Sequence, residues 1–104
     1  MKANIRFAEV SDSSAILELI RELAAFEKEP DSAKLTLTDI EKYGFGEQPL
    51  FQCLVAELNQ KVVGMALYYP RFSTWKGPTF HLEDLIVSEA YKGQGIGTQL
   101  YSKF

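Results

Sequence analysis

The sequence predicts an α/β (α+β) domain with a mixed, mostly antiparallel sheet flanked by helices, in the order β-α-α-β-β-β-α. Three observations carry this. Apolar residues recur at helical spacing from Ile16 to Leu23, three strand-like runs follow one another between Phe51 and Val87, and the last run feeds a glycine-rich turn. Beyond that turn the apolar period becomes helical again.

In chain order, Ile5 to Ala8 is short and alternating, a first strand. Ser11-Asp12-Ser13-Ser14 offers helix-capping side chains, and Ile16, Leu19, Ile20 and Leu23 then mark the buried stripe of a helix from about Ser13 to Phe26, with Glu18 and Arg21 able to pair outside. Glu27-Lys28-Glu29-Pro30-Asp31-Ser32 stops it with charge and proline. Thr38-Asp39-Ile40-Glu41 has a capping-box pattern and Gly44 is a stop, which predicts a second helix over Thr38 to Tyr43. Phe51 to Leu58 and Val62 to Tyr69 read as a hairpin around Asn59-Gln60-Lys61, with Gly64 marking a bulge or a close backbone approach. Pro70 to Pro78 reads as a loop, and Thr79 to Val87 as the last strand.

Length and composition narrow the function. A chain of 104 residues, 46% hydrophobic, suits one small domain. A net charge of −3 with scattered Lys and Arg argues against nucleic acid and favours a cationic partner. No apolar stretch approaches the roughly 20 residues of a membrane span, and Met1-Lys2-Ala3-Asn4 leads into no signal-type core. One cysteine excludes an internal disulfide and fits a reducing compartment, so the expected location is cytoplasmic.

The organising stretch is His81-Leu82-Glu83-Asp84-Leu85-Ile86-Val87, then Ser88-Glu89-Ala90-Tyr91, then Lys92-Gly93-Gln94-Gly95-Ile96-Gly97-Thr98. A strand, a bare loop and a helix N-terminus present unpaired N–H groups, which suits a phosphate or pyrophosphate, although a glycine-rich turn alone is as well explained as a tight connection. The spacing matches neither G-x-x-x-x-G-K-[ST] nor G-x-G-x-x-G. It resembles the acetyl-CoA loop of the GCN5-related N-acetyltransferase (GNAT) superfamily, [Q/R]-x-x-G-x-[G/A], with Lys92 at the first position. Gly44-Phe45-Gly46-Glu47, Cys53 to Glu57, Ser73-Thr74-Trp75-Lys76-Gly77, Leu82-Glu83-Asp84 and Gly93 to Gly97 together are similar to its diamine acetyltransferase (spermidine/spermine-like) branch. Ser73 to Gly77 is closer to the thialysine N-epsilon-acetyltransferase members, and Ser73 stands where the polyamine enzymes carry an acid, which argues against high-affinity polyamine recognition. The resemblance covers nearly the whole chain. It implies a single GNAT domain over residues 1–104, an N-terminal portion, with the last strands, a helix and a proton-donating tyrosine lying outside the sequence.

The resemblance implies acetyl-CoA as co-substrate and a small-molecule primary amine as acceptor, thialysine, a lysine-like amine or a diamine. It implies a homodimer. Leu85, Ile86 and Val87 would meet the pantetheine arm through their backbone, and Lys92, Gly93, Gln94, Gly95, Ile96, Gly97 and Thr98 would hold the pyrophosphate. Glu83 would be catalytic and touch substrate, and Phe26 and Glu27 match a substrate-contacting Tyr-Glu pair. Presenting an amine of pKa about 10.4 as neutral at pH 7 costs on the order of 4.6 kcal/mol, and a carboxylate in direct contact raises that cost. Glu83 is therefore an anchor and water-relayed base, with Phe26, Tyr68 and Trp75 as candidate desolvating walls, Trp75 among the substrate-binding residues. Alternation sends Glu83 and Asp84 to opposite faces, and each could instead pair with a nearby Lys or Arg. His81 is the only histidine, so no metal is expected, and Cys53 reads as a buried thiol. Direct transfer needs no catalytic cysteine. The alternative is a non-catalytic acyl-CoA-binding module or an inactive truncated remnant.

Overall fold

The computed structural model describes residues 2–29, 31 and 34–104. Its elements are β1 (Asn4–Phe7), α1 (Ser13–Phe26), α2 (Leu37–Phe45), β2 (Gln52–Leu58), β3 (Lys61–Ser73), β4 (Gly77–Val87) and α3 (Ile96–Lys103), with single 3-10 turns at Val10–Asp12 and Glu89–Tyr91. The order is the one predicted. The sheet runs β1-β2-β3-β4 with every pair antiparallel, so the mixed component expected from sequence is absent among the described strands. Met1, Pro30 and Ser32, used above as signals, lie outside the described residues.

α1 spans the predicted residues, but its ends are made differently. The Asp12 carboxylate does not cap α1; it accepts from the Glu9 amide (2.7 Å) and the Arg6 guanidinium (2.8 and 3.0 Å), closing the 3-10 turn ahead of the helix. At the far end Lys28 takes a left-handed conformation (φ 61°), and the Lys28 and Glu29 amides donate back to the Ala25 and Ala24 carbonyls, a Schellman stop. Glu18 and Arg21 form no ion pair, among the described residues. α2 is longer than predicted because its cap is Thr36, not Thr38: Thr36 Oγ1 accepts from the Asp39 amide while Asp39 accepts from the Thr36 amide. Gly44 lies inside that helix and Gly46 ends it.

The β2–β3 hairpin closes on a two-residue turn, Asn59-Gln60, both with positive φ (52° and 65°), which matches the twist of the strands. The predicted loop Pro70 to Pro78 is corrected: β3 and β4 continue pairing to Ser73↔Gly77, leaving only Thr74 to Lys76 as turn. Both prolines are tolerated because neither strand has a second partner there. β2 ends its pairing at Tyr68, and β4 is the outermost strand. Ser73 Oγ accepts from the Trp75 and Lys76 amides (3.2 and 3.1 Å), and Gly77 (φ 80°) completes the reversal.

Two bulges reset the side-chain phase. Ala56 faces Gly64 while Glu57 faces Val62, so Val63 is extra, and Val63 and Met65 enter opposite layers although they are two apart. A residue at 64 with a Cβ would meet the Ile86 carbonyl oxygen at 3.0 Å, so the close approach foreseen at Gly64 is present beside the bulge. Leu67 faces Asp84 while Tyr68 faces Leu82, so Glu83 is the extra residue in β4. One layer packs Ile16, Leu19 and Ile40 of α1 and α2 on Cys53, Val55, Met65, Leu67 and Ile86; the other packs Ile96 and Leu100 of α3 on Leu54, Ala56, Ala66 and Tyr68. The sheet is thereby fixed between helices on both faces.

The Arg6–Asp12 pair ties β1 to the start of α1, with Glu57 of β2 at 3.4 Å as a further acceptor. Asp12 is 8% exposed, and its hydrogen bond from Arg6 holds its carboxyl below the ordinary value against the opposing effect of burial. A depressed folded pKa contributes stability that is present above the unfolded value of about 4 and is lost as pH falls through the folded value. Asp12→Asn should therefore destabilise the domain by about 1–3 kcal/mol near neutrality, and the gap between variant and parent in urea unfolding should shrink as the pH drops below about 4. A gap independent of pH would contradict this account.

Candidate active site

The site forms where β4 runs out. β4 is the last strand of the sheet, so one of its edges carries no strand among the described residues. The Ser88 amide donates to the Val63 carbonyl (2.8 Å), and ladder alternation then turns the main chain of Ile86 toward β3 and that of Leu85 and Val87 outward. Ile86 is buried between sheet and helix, whereas Leu85 is exposed at 41%. Two adjoining cavities share Leu85, Val87 and Lys92. One, about 350 Å³, lies against Glu22, Leu23 and Phe26 of α1; the other, about 410 Å³, is lined by Gly93, Gly95, Gly97 and Thr98.

The loop has the form an anion site needs. Gly95 is the residue ahead of α3, held at φ 81°, and having no side chain it cannot cap the helix. The Ile96, Gly97 and Thr98 amides consequently have no protein acceptor among the described residues, at the positive end of the helix dipole. A Cβ added at Gly93 or Gly95 would meet nothing within 4 Å, so the space above both is open. The Gln94 side-chain oxygen is buried without a hydrogen-bond partner, an orphan that a bound group could satisfy. Lys92 Nζ sits 4.3 Å above the Phe26 ring and 3.1 Å from Glu89, at the junction of the two cavities.

Glu22 is a residue that sequence reasoning missed. Its carboxylate accepts from the Glu89 amide (2.7 Å) and the Ser88 hydroxyl (3.2 and 3.3 Å), capping the turn that leads into the glycine loop. Glu22 reads as one more exposed acid on α1. The only signal was its place on the same helical face as Phe26.

Three carboxylates, Glu27, Glu83 and Asp84, gather just ahead of the outward edge of β4. Asp84 is half-buried with no cation paired to it, among the described residues, so the Lys or Arg partner considered for it is absent. Burial above all, then the charges of Glu83 and Glu27, push its carboxyl up. Glu27 is exposed at the end of α1. Glu83 is half exposed and has His81 Nε2 at 3.7 Å. Because Glu83 is a bulge residue, simple alternation does not hold in this stretch: Leu82 packs with the α3 layer while Ile86, four residues on, packs with α1.

The three candidate aromatic walls are not brought together. Phe26 is 65% exposed beside the α1 cavity, Trp75 is 94% exposed at the tip of the β3–β4 hairpin, and Tyr68 is buried on the α3 face, edge-on to Phe80 (5.5 Å) and Phe104 (5.1 Å). Cys53 is buried in the α1 layer, and its thiol is pushed up to about 12 by burial first and by the charges of Asp12 and Asp84 second. Its thiolate is therefore suppressed near neutrality. No group of three or more His, Cys, Asp or Glu able to hold a metal occurs among the described residues, and no helix among them is long and apolar enough to cross a membrane.

A family model described as "Acetyltransferase (GNAT) family" matches residues 15–104. The chain is 45% identical over 107 residues to a thialysine N-epsilon-acetyltransferase of Bos taurus, a match covering 95% of this chain and 63% of that protein. It is 43% identical over 106 residues to spermidine/spermine N(1)-acetyltransferase-like protein 1 of Homo sapiens, covering 95% of this chain and 15% of that protein. The chain thus spans less than two thirds of the length of these curated relatives. In fold it is similar to an aminoglycoside N-acetyltransferase solved in complex with CoA, with a TM-score of 0.72, 21% identity, and coverage of 97% of this chain and 65% of that one.

Two outcomes test this geometry without a ligand. Glu22→Ala should speed hydrogen exchange at the Glu89 amide and lower stability by about 1–2 kcal/mol; unchanged protection there would mean that the carboxylate does not hold the turn. Cys53 should resist a thiol reagent in the native protein and react fully once denatured, and rapid native labelling would contradict its burial.

Proposed function

The chain belongs to the acetyltransferase (GNAT) family, and on that premise we propose that it is an N-acetyltransferase. It transfers acetyl from acetyl-CoA to a primary amine of a small molecule: thialysine, a lysine-like amine or a diamine. The observation that carries this is the continuity of the outward edge of β4 with the uncapped amides of α3, Glu83 and Asp84 lying directly ahead of that edge.

The residues fit acetyl-CoA as co-substrate. The Ile96, Gly97 and Thr98 amides and the open backbone from Gly93 to Gly95 would hold its pyrophosphate end, with Lys92 adding a cation; the orphaned Gln94 side-chain oxygen accepts only, so it suits a donor of the bound molecule and not the anion itself. The outward main chain of Leu85 and Val87 would pair with the pantetheine amides. Bound there, acetyl-CoA supplies the activated acetyl group. Ile86, whose main chain faces β3, serves by filling the core beneath that edge.

The acceptor side follows from charge. Glu27, Glu83 and Asp84 make a negative surface suited to a cationic amine, and bound positive charge would relieve the repulsion that raises Asp84. The same field opposes loss of the amine proton, so removal through water to Glu83 is favoured over direct contact. Phe26 supplies apolar area beside Glu27. Ser73, committed to its own turn through two amides, is not available to a distal ammonium, which favours a short amine over a long polyamine. Residues 1–104 act as a single domain, and a homodimer in a cytoplasmic setting goes with this assignment.

The test is CoA thiol release across thialysine, lysine, putrescine and spermidine. Thialysine or lysine should turn over best, and Glu83→Gln should lower kcat by about 10²-fold or more with less effect on the acetyl-CoA KM. Gly95→Trp should abolish acetyl-CoA binding in calorimetry. Binding without turnover of any amine would replace the enzyme by an acyl-CoA-binding module, and no binding at all would remove both.

A further inference from the structure

His81 lies outside the roles assigned so far, yet the structure holds it on two sides. Arg71 Nη1 is 3.3 Å from His81 Nδ1, and His81 Nε2 is 3.7 Å from a Glu83 oxygen. The Tyr69 ring, directly across the β3–β4 ladder, lies 5.2 Å from the imidazole at a tilt of 49°. A guanidinium can only donate. Nδ1 must therefore offer its lone pair, and a neutral ring then carries its one proton on Nε2, on the side of Glu83.

Glu83 needs such a constraint. As the extra residue of a bulge it has no cross-strand partner, and its side chain is 53% exposed, so the ladder alone does not set its direction. We propose that His81 is a positioning residue for the Glu83 carboxylate, its ring locked by Arg71 in the Nε2–H tautomer and its N–H directed at Glu83. This deepens the proposed function and rests on Glu83 as anchor and base.

The device responds to acid. A second proton on His81 occupies Nδ1, which can then no longer accept from Arg71 and faces a permanent cation at 3.3 Å. The Arg71 contact breaks while the attraction to Glu83 grows. Acid thus draws the ring onto the carboxylate and engages the charge that a substrate amine would use. The titratable and charged groups facing His81 are Arg71 and Tyr69 on β3 and Glu83 on β4; Asp84, and Glu27 at the end of α1, extend the negative charge around Glu83. Both flanking contacts are partly exposed and screened, so their effect is on orientation more than on stability.

His81 is the sole histidine, so its ring nitrogens give one unambiguous set of nitrogen-15 resonances in the unaltered protein. The neutral form should be predominantly the Nε2–H tautomer. Arg71→Met should mix the tautomers, because Nδ1 then has no fixed donor to accept from. A dominant Nδ1–H tautomer, or a tautomer ratio that Arg71→Met leaves unmoved, overturns the proposal, and the tautomer reading in the unaltered protein needs no variant to fold. In turnover, His81→Gln should shift the acid limb of the pH profile of kcat/KM for the amine while leaving the acetyl-CoA KM in place; an equal loss at every pH would indicate a merely structural role and overturn it. If the unaltered protein acetylates no amine, the proposed function fails while the resonances still decide the His81 contact.

Discussion

Backbone amides that the fold leaves without protein partners are what the rest of this molecule is arranged to hold in place. Nearly every buried N–H in a folded protein is paired, so unpaired ones persist only where solvent or a ligand can reach them. Among the described residues they gather at the outward edge of β4 and in the first turn of α3. Each half of that arrangement has its own support. The long β3–β4 hairpin pairs the inner side of that strand, and Leu100 and Ile96 anchor α3 on the opposite face. Glu22 clamps the turn between them to α1.

The two faces of the sheet divide the labour. Asp84 lies on the α1–α2 side, where burial raises its carboxyl and no cation among the described residues pairs with it. The α3 layer carries the glycine loop. β4 belongs to both, and the bulge at Glu83 is where its side chains change allegiance between them. A regular strand would have sent Leu82 to the α1 layer beside Asp84; the extra residue instead leaves a half-exposed carboxylate just ahead of the outward edge of β4.

Much of this was legible in the chain. The helical stripe of α1, the hairpin around Asn59-Gln60-Lys61, whose turn the structure shortens to Asn59-Gln60, and the strand–loop–helix from His81 to Leu100 follow from local periodicity and turn chemistry, which need no tertiary partner. The loop Pro70 to Pro78 was misread because proline argues against a strand only when its missing N–H would have had a partner, and here it would not. The cap of α2 was displaced by two residues because Thr36 and Thr38 offer the same hydroxyl, and only the chain's entry angle selects between them. Trp75 was drawn into the site by its neighbours in sequence, and the hairpin carries it to the tip instead.

By itself the sequence determined the element order, the glycine loop ahead of α3, the carboxylate pair inside a strand and the resemblance that joins them, because each is written in residues close together along the chain. Only the tertiary structure decided that Glu22 holds the turn before the loop, that Asp84 has no paired cation among the described residues, that Glu83 is a bulge residue and that Arg71 and Glu83 flank His81. Those facts depend on strand register and on which side chains from distant segments meet. A register shift of one residue redirects every side chain of a strand, and nothing local in the sequence records it.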